Sequence, residues 1–319
     1  SIVLKYINFM KDLVDLKNKI QAKTLDLVNQ REGVSVYKAE TSQGIVFVKA
    51  DMNRIANDRY CEILEALTEF ALVPKVLNKF EWGDCAVVVM STIEGNQINY
   101  ILEHCSRADK ILLLRGAGLT LGNIHQAFKP TQLLKMKFWQ DRDTVLVNSN
   151  LWNLHLDAMI SKWLSRVNRS SSDYNEFKDQ LDELLKYCKN LREPKCLNLL
   201  HCDYTGRNIL ADENNNISGV LDFDAARIGD AVYDLAKLVW VDIDFSDLEL
   251  RNAFLQGWEL TYGEKVPQKE FLCYVGIQCL AAIAWTDKNP SIEGSALFRA
   301  TAIKTLKDAL SELHVDLGH

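Results

Sequence analysis

The chain has 319 residues, 48% of them hydrophobic and 25% charged, and a formal net charge of −6. That length suits one large or two modest domains with an ample core, and the composition is that of an ordinary soluble globular protein. The acidic balance does not favour general binding to nucleic acid or to an anionic membrane surface.

The apolar spacing of Ile2, Leu4, Ile7, Met10, Leu13, Val14 and Leu16 predicts an amphipathic helix over residues 2–20. Thr24–Gln30 reads as a strand and turns at Glu32-Gly33 into a second one. Gly33 permits a close backbone approach there, either as an ordinary hairpin glycine or as a loop whose N–H groups meet phosphates. Gly44–Ala50 is the third strand. It ends on Lys49, a cation that is either solvated at the strand end or in need of a partner. Asn53–Phe70 follows with a helical pattern carrying Glu62, Glu65 and Glu69. Lys75–Phe80 and Cys85–Ser91 form a second hairpin around Glu81-Trp82-Gly83-Asp84, and Met90 leads into a link ending at Gly95.

Beyond that link the pattern is mostly helical, with helices expected over Arg107–Phe128, Leu151–Val167 and Tyr174–Leu191. His125 has no second ligand at helical spacing and reads as a capping or packing residue rather than a metal ligand. The longest strongly apolar stretch, Phe271–Trp285, is interrupted by Gln278 and is too short to span a bilayer. Eight scattered cysteines with no C-x-x-C pair read as reduced thiols of a cytoplasmic protein.

The chemistry concentrates in Leu199–Ala236. Asp203 is followed five positions later by Asn208 and fourteen beyond that by Asp222. Asn208–Ala211 and Ile217–Phe223 are β-rich and flank the polar run Asp212-Glu-Asn-Asn-Asn216, a hairpin signal. The hairpin would bring Asn208 and Asp222 together, with Asp203 on the loop leading in. Asp222 lies in a run expected to be buried, where a carboxylate needs a metal or a Lys or Arg partner. One carboxylate facing a hydroxyl, with an Asn and a second carboxylate holding magnesium, is what phosphoryl transfer requires.

His201-Cys-Asp203-Tyr-Thr-Gly-Arg-Asn208, Leu221-Asp-Phe-Asp-Ala225 and Gly229-Asp-Ala-Val-Tyr-Asp-Leu-Ala236 together resemble the aminoglycoside phosphotransferase and choline kinase-like family. The resemblance implies an α+β, bilobal protein-kinase-like fold. Residues 1–92 would form a small antiparallel nucleotide-binding lobe, and residues 93–319 a larger helical lobe for catalysis and acceptor binding. It implies Asp203 as the catalytic carboxylate, Asn208 and Asp222 as magnesium ligands, and ATP or GTP as phosphate donor. Lys49 would hold the α- and β-phosphates. Glu62 would pair with Lys49, chosen because its distance to Val73-Pro74 is closest to the family's spacing, with Glu65, three residues on and roughly on the same face, as the fallback. Gly33 and Ser35 would form the nucleotide loop, and the backbones of Ser91 and Ile93 would meet the base. The family usually has Gly where Cys202 stands and Pro-Gly where Gly206-Arg207 stand. His201 and Arg207 are therefore supporting loop residues, Arg207 either a cation beside the phosphates or a solvent-facing one. Asp224 either touches magnesium through water or is structural. Asp230 is expected to cap a helix, and Asp234 to brace the loop.

The segment Trp240–Trp258, with Asp242, Asp244 and Asp247, is either a solvated acidic face or an acceptor site for a cation. No activation-loop or A-P-E feature follows Asp222, which disfavours a protein substrate. The expected acceptor is the hydroxyl of a small, cationic molecule: an amine-bearing antibiotic first, and choline, an amino alcohol, a fructosamine or a sugar-like metabolite second. A catalytically inactive nucleotide-binding module is the third reading, against which the joint presence of Lys49, Asp203, Asn208 and Asp222 argues.

Overall fold

A computed structural model describes residues 13–70, 72–133, 135–136 and 152–316. The expected helix over residues 2–20 is seen from residue 13 (α1, residues 13–19), and its first part lies outside the described residues. Five strands form one antiparallel sheet in the order β1-β2-β3-β5-β4. They are β1 (Ala22–Arg31), β2 (Val34–Thr41), β3 (Gly44–Asp51), β4 (Val76–Trp82) and β5 (Cys85–Ser91). The period-2 alternation of β3 and β5 divides the sheet into two faces. Val46, Val48, Ala50, Val87 and Val89 pack on one face with Leu16 of α1. Val88 and Met90 point to the other, where α2 (Arg54–Leu67) lays down Tyr60, Ile63, Leu64 and Leu67. Lys49 stands opposite Val88 in the ladder, so its side chain emerges on the α2 side, toward the helical lobe. The Asn53 side chain caps α2 by accepting from Ala56 N at 3.1 Å.

After β5 the chain crosses at residues 92–95 into the helical lobe. The Ser218 hydroxyl pins the link by donating to Glu94 O at 2.6 Å. The short strand β6 (Asn96–Gln97) then joins α3 (Ile98–His104), α4 (Arg107–Gln126), α5 (Pro130–Leu133), α6 (Trp152–Leu164) and α7 (Tyr174–Cys188). The strand β7 (Asn198–Leu200) pairs with β10 (Arg227–Gly229), while β8 (Ile209–Ala211) and β9 (Ile217–Val220) form the expected hairpin beside β6. Then come α8 (Ala231–Val241), α9 (Leu248–Tyr262), α10 (Gln268–Lys288) and α11 (Ser295–Asp316). α4 and α9 touch backbone to backbone. A Cβ on Gly118 would lie 2.0 Å from Phe254 O, and one on Gly257 2.1 Å from Arg115 O. Only glycine fits at either crossing. No helix of the described residues is long and apolar enough to cross a membrane.

Candidate active site

The loop between β7 and β8 is held from below by α8. Asp234, almost fully buried, accepts the N–H groups of His201 (2.5 Å) and Cys202 (2.7 Å). Its orientation is fixed in turn by His125, whose Nε2 lies 3.1 Å from the same carboxylate. The Trp258 indole donates to His125 Nδ1 at 2.9 Å, so the ring proton sits on Nε2 and points at Asp234. His125 is thus a packing residue with both nitrogens occupied. Asp230 caps α8, accepting from Val232 N at 3.0 Å.

His201 has no exposure and likewise uses both nitrogens. Nε2 donates to Leu221 O at 2.8 Å, and Nδ1 accepts from Asp203 N at 3.1 Å. The ring therefore ties the loop carrying Asp203 to the loop carrying Asp222 and has no position left for a substrate proton. Cys202 and Asp222 both adopt left-handed backbone, with φ of 64° and 61°. Such strain in residues other than glycine collects where a site must be aimed.

Asp203 carries two cations on two different oxygens. Lys237 of α8 lies against Oδ1, and Arg207 Nη2 donates to Oδ2 at 2.9 Å. Asn208 Nδ2 adds a donation to Oδ2 at 3.1 Å and another to Asp203 O at 2.9 Å. Burial pushes the Asp203 carboxyl up, but Lys237 and Arg207 outweigh it and hold the group below the usual carboxylate range. It is ionised at neutral pH and weakly basic, suited to orient a hydroxyl and receive its proton late in transfer.

Asp222 lies at the head of the turn after β9, across from Asn208, whose backbone carbonyl accepts from Leu221 N at 2.8 Å. Burial and then the neighbouring charge of Asp224 push the Asp222 carboxyl up. The two cations nearby, Lys49 and Arg31, both pair with Asp224 instead. With its amide nitrogen spent on Asp203, Asn208 has Oδ1 left to offer. An under-compensated carboxylate beside an amide oxygen is a hard-oxygen donor set with few protein ligands, and it fits magnesium. Among the described residues no group of three or more His, Cys, Asp or Glu forms a closed metal cage.

Lys49 is 3% exposed. Its ammonium meets Asp224 and lies 4.0 Å from the centre of the Tyr60 ring. Glu62 is half-buried on α2, two residues after Tyr60 and so on a different side of the helix. Gly33, with φ of 76°, makes the turn after β1, and its carbonyl accepts from Met52 N at 2.9 Å. Ser35 stands on β2 opposite Ala50. The Ser91 N–H donates to Lys75 O at 2.9 Å, while Ile93 lies in the link and packs over Gly219.

Beside the Asp203 loop opens a cavity of about 1100 Å³. All four residues assigned from sequence to the acceptor line it: Trp240, Asp242, Asp244 and Asp247. The acidic character expected of them is mostly consumed. Asp247 caps α9 through Leu250 N at 3.2 Å and takes two bonds from Arg107, at 2.6 and 2.8 Å. Asp244 accepts from Ser246 and, at 3.1 Å, from Lys304. Asp242 accepts from Gly206 N at 2.7 Å, and a Cβ on Gly206 would collide with both Asp242 and Asn99. Burial pushes the Asp242 carboxyl up to about 6, against the pull of the Gly206 N–H. Trp240 stacks on Phe298, their ring centres 5.2 Å apart. The wall also holds Trp163, Trp285, Glu103 and Glu293 and, on the cationic side, Lys110, Arg207, Arg227 and Lys237.

Lys237 and Arg31 were not legible as site residues. The only signal for Lys237 is its place three residues after Asp234, on the same helical face. For Arg31 it is adjacency to the Glu32-Gly33 turn.

A five-stranded sheet linked to a helical lobe, with this loop between them, defines a protein-kinase-like phosphotransferase acting on alcohol groups. A profile of the phosphotransferase enzyme family matches residues 49–267, more than half of the chain, and the chain belongs to that family. Among solved structures, aminoglycoside phosphotransferase APH(4)-Ia is similar with a TM-score of 0.59 and 14% identity, covering 93% of this chain and 98% of that one. The complex of gentamicin with APH(2")-IIa gives 0.62 at 16% identity, with 93% and 95% covered. ADP-bound APH(2'')-Ib gives 0.59 at 18%, with 93% and 96% covered. At such identities these likenesses establish the fold. No curated protein sequence matches significantly.

Proposed function

We propose that this protein moves the γ-phosphoryl group of ATP or GTP onto a hydroxyl of a bulky, amine-bearing small molecule, in the manner of an antibiotic-modifying kinase. The observation that carries the reading is the opening of the Asp203 loop onto the 1100 Å³ cavity, which is large enough for a multi-ring acceptor. Solved relatives of the same fold are complexes with ADP and hygromycin B and with gentamicin. Among the described residues Glu103 and Glu293 make no hydrogen bond or ion pair in the cavity, and Asp242 makes no direct ion pair, though Arg207 and Lys237 lie near enough to act on its charge. These three carboxylates are the groups left to meet ammoniums, with the half-exposed Trp285 as an aromatic neighbour, while the Trp163 ring already carries Lys162 and Arg166.

In this reading residues 1–92 hold the nucleotide and residues 93–319 the acceptor. Lys49 grips the α- and β-phosphates, and Gly33 and Ser35 close over them. Glu62 is the α2 carboxylate available to Lys49 should nucleotide draw the lysine from Asp224. Ser91 and Ile93 flank the base. Magnesium, held by Asn208 and Asp222, would neutralise phosphate charge. Asp203 orients the acceptor hydroxyl and takes its proton as the new bond forms, so catalysis is positioning and charge placement rather than covalent chemistry. Eight free thiols support a reducing, cytoplasmic setting.

A metabolic acceptor with fewer amines is the second reading, favoured by the pairing of Asp244 and Asp247 within the protein. The test is magnesium-dependent ATP and GTP consumption against a panel of aminoglycosides, other amine-bearing antibiotics, choline, ethanolamine and ketoamines. Turnover with an antibiotic, lost in Asp203→Ala, is the expected result. Turnover only with a metabolite selects the second reading. Nucleotide binding with no turnover on any acceptor leaves a binding module.

A further inference from the structure

We propose that Lys237 is a catalytic residue, whose ammonium rests on Asp203 in the free protein and engages the phosphoryl group as it is transferred. This inference rests on the kinase reading above and adds to it a cation from outside the catalytic loop.

The bonding of Asp203 carries the argument. A carboxylate oxygen accepts two hydrogen bonds. Oδ2 has both positions filled, by Arg207 at 2.9 Å and Asn208 at 3.1 Å. Among the described residues Oδ1 holds Lys237 alone. An acceptor hydroxyl that donates to Asp203 must therefore do so at Oδ1, and there it becomes a neighbour of the Lys237 ammonium. The attacking oxygen, and with it the phosphorus, is brought to this cation by the same contact that orients it.

Lys237 is the stronger of the two cations acting on Asp203 and the better buried of them. It lines the cavity and is 27% exposed along its side chain, so its ammonium can be reached. Its backbone is anchored one turn beyond Asp234, which holds the N–H groups of His201 and Cys202. One helix thus fixes both the loop and the cation. In the transfer, an oxygen lone pair of the acceptor forms the bond to the γ-phosphorus. The bond from that phosphorus to the β,γ-bridging oxygen breaks, and its electron pair leaves on the nucleoside diphosphate. The hydroxyl proton passes to Asp203 and from there to water. Lys237 exchanges no proton, and its charge meets the negative charge spread over the equatorial oxygens.

The experiment is calorimetric binding of MgADP, alone and with fluoroaluminate as a mimic of the moving phosphoryl group, water taking the acceptor's place. It uses the full-length parent, Lys237→Met, Lys237→Gln and Lys237→Arg. The expected result is MgADP affinity within about twofold of the parent in all variants. Fluoroaluminate trapping should weaken about 100-fold in the Met and Gln variants, the size seen when one transition-state donor is removed, and recover largely in Arg. With an acceptor in hand, kcat should fall by a similar factor while both KM values hold. Met and Gln variants that trap fluoroaluminate as tightly as the parent would overturn the proposal, as would a loss of MgADP binding equal to the loss of trapping. A parent that binds no MgADP overturns the kinase reading itself, which separates the two failures.

Discussion

The His201 ring donates from Nε2 to the Leu221 carbonyl at 2.8 Å, and so fastens the loop that carries Asp203 to the one that carries Asp222. The two loops are twenty residues apart in the chain, and their relative position decides whether a hydroxyl, a phosphate and a metal can line up. His201→Ala removes that tie and leaves a void between Tyr204 and Phe223. The expected loss is about 3 kcal/mol in urea denaturation, a buried hydrogen bond and a cavity together. A loss below about 1 kcal/mol would mean that the loops are held by something else.

Asp242 gives a pH dependence. Its carboxyl is pushed up to about 6 by burial, above its unfolded value, so the ionised form costs the fold stability at high pH. That cost fades as pH falls through 6. Asp242→Asn keeps an acceptor for Gly206 N and removes the charge. It should raise the melting temperature at pH 8 by about 3 °C for each kcal/mol recovered, and the gain should shrink as pH falls from 6 and be largely gone at about pH 3.5, below the ordinary carboxylate value of 3.8. An equal shift at both pH values would show that charge is not the cause.

Cys202 stands where the backbone is left-handed, with φ of 64°. Such a conformation costs a residue with a Cβ about 1–2 kcal/mol, of which glycine's greater chain freedom returns part. Cys202→Gly is expected to stabilise the protein by about 0.5–1 kcal/mol, read as a higher urea midpoint at unchanged slope. A lower midpoint would show that the thiol's packing outweighs the strain.

The carboxylates of the cavity should separate into two kinds. Asp247 caps α9 and holds Arg107, so Asp247→Ala should lower stability by about 1 kcal/mol. Among the described residues Glu103 and Glu293 make no hydrogen bond or ion pair. Glu103→Gln combined with Glu293→Gln should leave the melting temperature alone and raise KM for a cationic acceptor about fivefold, two exposed ion pairs' worth. An unchanged KM would move the acceptor's amines elsewhere in the cavity.

Asp222→Ala should abolish magnesium-dependent nucleotide binding while the protein remains folded. Calorimetry with and without magnesium measures this directly. Binding that still requires the metal would remove Asp222 from its ligands.

What could be read from the chain follows from how local each feature is. Strands β1 to β5 and helix α2 show in periodicity, and the Asp203 loop shows because its chemistry lies within twenty residues. The expected cap at Asp230 and brace at Asp234 are present for the same reason. Pairings made across the fold left no such trace. Lys49 and Asp224 meet across 175 residues, and Arg107 and Asp247 across 140. Nothing near Asp247 announces that its charge is already answered, so an acidic run looked more open than it is. Lys237 was hidden differently, since a lysine on a helix is ordinarily a solvated one.

The backbone contact between α4 and α9 bears on how such a protein can change its acceptor. α4 carries Lys110 at the cavity and His125 beneath Asp234, while α9 carries Trp258 behind that histidine. Joined through Gly118 and Gly257, the two helices make one block that is cavity wall at one end and catalytic foundation at the other. A larger residue introduced along their seam would disturb the chemistry together with the fit. New specificities would have to be drafted on the opposite wall, at Trp285 and Glu293, away from that block.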